Sequence, residues 1–157
     1  MKPSEKLAEL GIALPTPPAP VASYIPGIRV GDLVYVSGQI AFVDGKIAFS
    51  GKVGKDLPLE QGQAAARACG LNALAVAANT VGGIDRIGRI VRLAVFVNSA
   101  PGFSDQPKVA NGASDLMVQV FGDAGRHVRA AVGAAELPLN SAVEVELIAQ
   151  VVPGAGA

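Results

Sequence analysis

The 157-residue sequence has one cysteine, one histidine and no tryptophan. With Cys69 alone no internal disulfide forms, and a reducing compartment fits. With His127 alone no histidine pair can hold a metal, and no cofactor is expected. Aromatic residues make up only 4% of the chain. Few rings are therefore available for stacking on bases, and alanine, valine, leucine and isoleucine must build the core. Charge of neither sign dominates: Lys+Arg and Asp+Glu both number 13. That argues against general nucleic-acid binding, which needs a cationic surface to displace counterions. No apolar run approaches the roughly 18–20 residues that span a bilayer. The opening MKPSEKLAEL is too polar for the apolar region of a signal peptide. These absences suggest a soluble, cytoplasmic protein without membrane contact. The length suits one domain with one core.

What is present alternates between strand and helix signals. Residues 4–10 are expected to form a short helix capped by Ser4 and ended by Gly11. LPTPPAPVASYIPG carries five prolines; it is expected to run extended, as an arm over the surface. A short strand at Ile28–Val30 precedes a longer one, Leu33–Val43. Asp44-Gly45 then forms a hairpin turn, from which KIAFSG returns. A helix is expected over Leu59–Asn79, with Ala65, Ala66, Cys69, Ala73, Val76 and Ala77 on one buried stripe. Gly70 inside it permits close packing, and Gly82-Gly83 ends it. Ile87–Ser99 reads as a strand buried on both faces. A second helix, capped near Ser104 and closed by Gly122, buries Val109, Ala113, Leu116 and Val120, with Met117 and Phe121 beside them. Strands near Val128–Ala135 and Ala142–Val152 follow, and local reasoning pairs them as a hairpin. The order β-β-β-α-β-α-β-β, with helices on one face of a sheet, is an α+β domain. It divides into an N-terminal helix and arm (1–20), the body (21–152) and a disordered tail (153–157).

The segment VRAAVGAAELPLNSAVEVELIA is almost wholly small or apolar, yet holds Arg129, Glu144 and Glu146. Strand side chains alternate faces. Val143, Val145, Leu147, Ala149 and Val151 share one face, and Glu144, Glu146, Ile148 and Gln150 share the other. Arg129 is opposite in parity to Val128, Ala130 and Val132. Parity leaves two readings open: solvated surface charges, or an anion site. Arginine's planar fork of donors matches a carboxylate, and a nearby glutamate can orient water or move a proton.

Other candidates carry less. His127 precedes a strand beside Arg126 and Arg129, as a loop histidine would. Cys69 is a small core residue. GGIDRIGR lacks phosphate-loop spacing and reads as a turn. Arg86, Arg89 and Arg92 alternate faces on a strand and read as a charged edge. Ser37 has no histidine near it in sequence, so a serine triad is not expected.

SGQI (Ser37–Ile40), VFV (Val95–Val97), VRAAV…ELP and VEVELIA together resemble the Rid family of imine deaminases, also called YjgF or L-PSP endoribonuclease-like. The C-terminal pattern is the most specific: an arginine, Leu-Pro eight and nine residues later (Leu137-Pro138), then Val-Glu-x-Glu. The resemblance covers residues 20–152, and the N-terminal helix and arm look like those of a longer subgroup. It implies a chorismate-mutase-like fold, a homotrimer with ligand clefts between subunits, and another strand between the last two. It implies that Arg129 holds a substrate carboxylate and Glu144 lies by the hydrolytic water. Tyr24 would close the cleft, Gly38 would form its wall and Asn111 would contribute to it. Ala131 stands where many members have cysteine, which makes the site smoother and less polar.

The implied reaction is hydrolysis of an enamine or imine of the 2-aminoacrylate type to a 2-keto acid and ammonia, with no metal or cofactor. Arg129 would orient the carboxylate and, being costly to bury alone, would be partly satisfied by carbonyls even when empty. Two alternatives come from other classes. One is a non-catalytic trimeric binder of small carboxylates. The other is a ribonuclease or translation inhibitor, against which neutral charge and few aromatics weigh.

Overall fold

The computed structural model describes residues 1–17, 19 and 23–154. Helix α1 spans Pro3–Glu9. Strands β1 (Gly27–Val30), β2 (Leu33–Ile40), β3 (Phe42–Val43) and β4 (Lys46–Ile47) precede helix α2 (Leu59–Val81). Strand β5 (Ile87–Asn98), helix α3 (Gln106–Phe121), strand β6 (Val128–Ala134) and strand β7 (Val143–Val151) complete the order. Five strands form one mixed sheet in the order β1-β2-β7-β5-β6, and β3 and β4 form a separate ribbon. This is the expected α+β architecture, with α2 and α3 together on one face.

Local chemistry explains the boundaries. Asp44 and Gly45 have φ of 52° and 77°, the pair of positive values that a two-residue hairpin turn requires. Gly82 stops α2 in the left-handed conformation, φ 86°. The alanine stripe of α2 is buried as its period implies, and Gly70 lets Ala113, Leu116 and Met117 of α3 come close. The expected 33–43 strand is two strands, because the chain leaves the main sheet at buried Ala41 to make the ribbon.

Three local expectations are corrected. Lys2, not Ser4, stands at the N-cap of α1. Ser4 lies inside the helix and donates its N–H and O–H to the Asp85 carboxylate at 2.8 and 2.7 Å, tying α1 to the domain. Asp105, not Ser104, precedes α3. The last two strands are not a hairpin. β5 lies between them, parallel to β6 and antiparallel to β7, as the resemblance implied. From Arg92 onward β5 is thus a central strand, while its first residues, Arg89 among them, run past the start of β6. Ile12 and Leu14 of the arm pack against the core. Residues 18, 20–22 and 155–157, where the rest of the arm and the tail fall, lie outside the described residues.

The sheet has two unlike faces. Val34, Val36, Leu93, Val95, Val145, Leu147 and Ala149 share the helix side and are buried. The other face carries no element of this chain among the described residues. It presents Ile28, Val30, Tyr35, Val128 and Val132 as exposed apolar side chains. These apolar side chains lie toward the two edges of the sheet, and Glu144, Glu146 and Arg92 of the middle strands share the face between them.

Candidate functional site

Arg129 lies on β6 opposite Leu93, and Ala131 lies opposite Val95. Both face the helix side. Ala131 packs against the core there, and the next residue on that face, Gly133, is also small. The Arg129 guanidinium reaches α3. Nη1 donates to Asn111 Oδ1 at 2.9 Å and to Ser114 Oγ at 3.1 Å, and Nη2 donates to the Pro107 carbonyl at 3.2 Å. Sequence reasoning anticipated a carbonyl partner and the approach of Asn111. It missed Ser114, although residues three apart on a helix share a face. Nε–H and one Nη2–H have no partner among the described residues. Nε and Nη2 form one edge of the guanidinium, the edge that takes a carboxylate through two parallel bonds.

Glu144 lies on β7 opposite Phe96 and Ile40, on the uncovered face. Its carboxylate sits against Gly38. A Cβ on Gly38 would fall 2.2 Å from Glu144 Oε1 and 2.7 Å from its Cδ. β2 makes this fit possible by a bulge between Val36 and Gln39, which re-aims the strand locally. Burial pushes the Glu144 carboxyl above the ordinary carboxylate value, and the Glu146 charge on the same face adds to it. A carboxylate so raised is better matched to accepting and returning a proton near neutral pH.

The chain thus brings together Arg129 with Asn111, and Gly38 with Glu144, but it keeps the two pairs apart. Tyr24 is exposed and lies just before β1, at the sheet edge opposite β6. Four strand spacings separate those edges, about 19 Å. His127 also belongs to the Arg129 neighbourhood. Its Nε2 is 2.9 Å from Ser114 Oγ, and its Nδ1 is 2.6 Å from the Gly125 carbonyl. The expected loop histidine is half-buried within a hydrogen-bonded group. Among the described residues no cluster of His, Cys, Asp and Glu could hold a metal ion, and no helix is long and apolar enough to cross a membrane.

Comparison with known proteins identifies the fold family. Residues 4–151 match the family described as "YjgF/chorismate_mutase-like, putative endoribonuclease". Protein TCP17 of Trypanosoma cruzi is 46% identical over 145 residues, covering 92% of this chain and 91% of that protein. A 2-iminobutanoate/2-iminopropanoate deaminase of Dermatophagoides farinae is 28% identical over 137 residues, covering 87% and 92%. The crystal structure of Atu1372, a protein of unknown function from Agrobacterium tumefaciens, superposes with a TM-score of 0.87 at 44% identity, over 96% of this chain and 92% of that one. The chain belongs to the YjgF/chorismate-mutase-like family.

Proposed function

We propose that this protein hydrolyses reactive imines derived from amino acids, in a site assembled between copies of the chain in a homotrimer. The observation that carries this reading is that Arg129 and Glu144 occupy opposite faces of one sheet. No small substrate touches both within one chain. A site using both takes Arg129 and Asn111 from one protomer and Glu144, Gly38 and Tyr24 from its neighbour. The uncovered apolar face, on which Glu144 sits, supplies the surface for such assembly. The deaminase relative supports the chemistry, at 28% identity.

In this mechanism the open edge of Arg129 grips the substrate carboxylate and fixes the imine carbon. Glu144 accepts a proton from water as its oxygen adds to that carbon. It returns that proton to nitrogen, giving a carbinolamine; it then takes the proton of the new hydroxyl and passes it to the same nitrogen, so that the C=O forms as the C–N bond breaks and a 2-keto acid and ammonia leave. Imines of this kind hydrolyse unaided, so positioning and one proton shuttle suffice. No group of the site calls for a metal or cofactor.

Mixed oligomers test the reading. Imine is generated from serine by a dehydratase, and its loss is followed with Arg129→Ala, Glu144→Gln and both variants co-expressed. Each variant alone is expected to be inactive. Random mixing should restore about a quarter of the sites, because some then join an intact Arg129 to an intact Glu144. No recovery in verified hetero-oligomers would refute a shared site. A second reading, carboxylate binding without catalysis, draws on Ala131. Pyruvate binding by a wild type that leaves imine loss unaccelerated would favour it. RNA cleavage that survives Arg129→Ala would favour a nuclease.

A further inference from the structure

We infer that His127, acting through Ser114, is a positioning residue that fixes the Arg129 guanidinium for its ligand. This deepens the functional reading above and rests on Arg129 holding a carboxylate. Hydrogen-bond polarity carries the argument. The Gly125 carbonyl can only accept, so the contact at 2.6 Å puts the ring proton on His127 Nδ1. A neutral imidazole has one N–H, and Nε2 is then an acceptor. The only hydroxyl hydrogen of Ser114 must point at it, across 2.9 Å. That leaves the Ser114 lone pairs to accept from Arg129 Nη1 at 3.1 Å. The bonds run in one direction: Arg129 to Ser114, Ser114 to His127, His127 to the backbone. Such chains reinforce one another.

The neutral ring this requires is favoured where it sits. Burial holds His127 below its ordinary value against the opposing pull of the Gly125 hydrogen bond, and the neighbouring Arg129 charge adds to the lowering. Arg126, on the same segment, is paired with Asp123 at 3.4 Å. With Ser114 and Asn111 taking both hydrogens of Nη1 and Pro107 taking one of Nη2, the plane of the guanidinium is set on three sides. Its open edge is the ligand edge. Without His127 the Ser114 hydroxyl turns freely, for instance to a carbonyl of its own helix, and one side of that setting is lost.

As the only histidine, His127 gives unambiguous ring ¹⁵N signals. These should show the Nδ1-protonated tautomer, lost or mixed in Ser114→Ala. Pyruvate serves as the binding probe. His127→Leu and Ser114→Ala should each weaken it roughly fivefold, about the worth of one hydrogen bond. The double variant should be no weaker than either single one, because both break one chain. His127→Gln, which keeps an acceptor, should restore most of the affinity. In turnover, KM should rise while kcat holds. If His127→Leu fails to fold, Ser114→Ala and His127→Gln carry the same comparison. Arg129-dependent pyruvate binding that is unchanged in these variants overturns the inference alone, as does an Nε2-protonated ring. No pyruvate binding by wild type defeats the reading of Arg129, and this inference with it.

Discussion

Arg129 and Glu144 leave one sheet in opposite directions: Arg129 pairs in register with Leu93 on the helix side, and Glu144 pairs with Phe96 on the uncovered side. Phe96 also pairs with Val132, so the backbone positions of the two residues are separated by about 10 Å across the strands and about 10 Å along them, and their side chains leave on opposite faces. The chemistry proposed for them therefore depends on quaternary structure.

The uncovered face gives the most direct check of that dependence. Val132 is 47% exposed in the chain. Val132→Asp should then cost the isolated fold within about 0.5 kcal/mol, as surface changes do. It should still disrupt association and abolish imine hydrolysis together. Sedimentation and circular dichroism read the two effects separately. A fully active variant of unchanged mass would remove this face from the interface.

Gly38→Ala tests the seat of the Glu144 carboxylate. The added Cβ meets the end of a flexible side chain, so the carboxylate swings away and the backbone stays. Stability should change by no more than about 1 kcal/mol. Activity should fall at least tenfold, since a displacement of about 1 Å can cost about a hundredfold. Thermal melting paired with the rate of imine loss separates the two.

Glu144 should also cost the fold stability. Its folded pKa is raised, so the folded state holds the proton more tightly than the unfolded chain. Stability contributed by this group falls as pH rises from the ordinary carboxylate value through the raised one, and the penalty is full above it. Glu144→Gln should thus be the more stable protein at pH 7–8 while being inactive, the usual exchange of stability for function. Water still screens a partly buried group, so the gain in Tm should be small. The difference should close on acidification. A lower Tm for the variant at pH 8 would contradict this account.

The α2–α3 contact predicts the opposite balance. A Cβ on Gly112 would lie 2.0 Å from the backbone oxygen of Gln63, which has no rotamer by which to yield. Alanine gains about 1 kcal/mol of helix propensity over glycine, but overpacking costs about 1–3 kcal/mol or more. Gly112→Ala should therefore be net destabilising by about 1 kcal/mol or more in urea unfolding. Loss of the Asn111 and Ser114 poses should raise KM as well.

Much of this was legible in the sequence because it is periodic or local. The alanine stripe of α2, the alternation of β7, the Asp44-Gly45 turn and the glycine stops each reflect dihedral preferences and burial within a few residues. The charges Arg129 and Glu144 stand out in an apolar segment, and the family resemblance implied their roles and that of Gly38. Ser4 misled because its hydroxyl serves Asp85, 81 residues away, and no local rule sees so distant a partner. Pairing β6 with β7 failed for the same reason: insertion of β5 is a property of the sheet, not of the loop between them. The sequence by itself determined which faces are apolar and that a guanidinium and a carboxylate stand on two strands. Only the tertiary structure decided that they look away from each other, that a bulge and Gly38 seat the carboxylate, and that His127 and Ser114 reach Arg129. Strand order and helix packing arise from contacts between distant segments, and those contacts set direction.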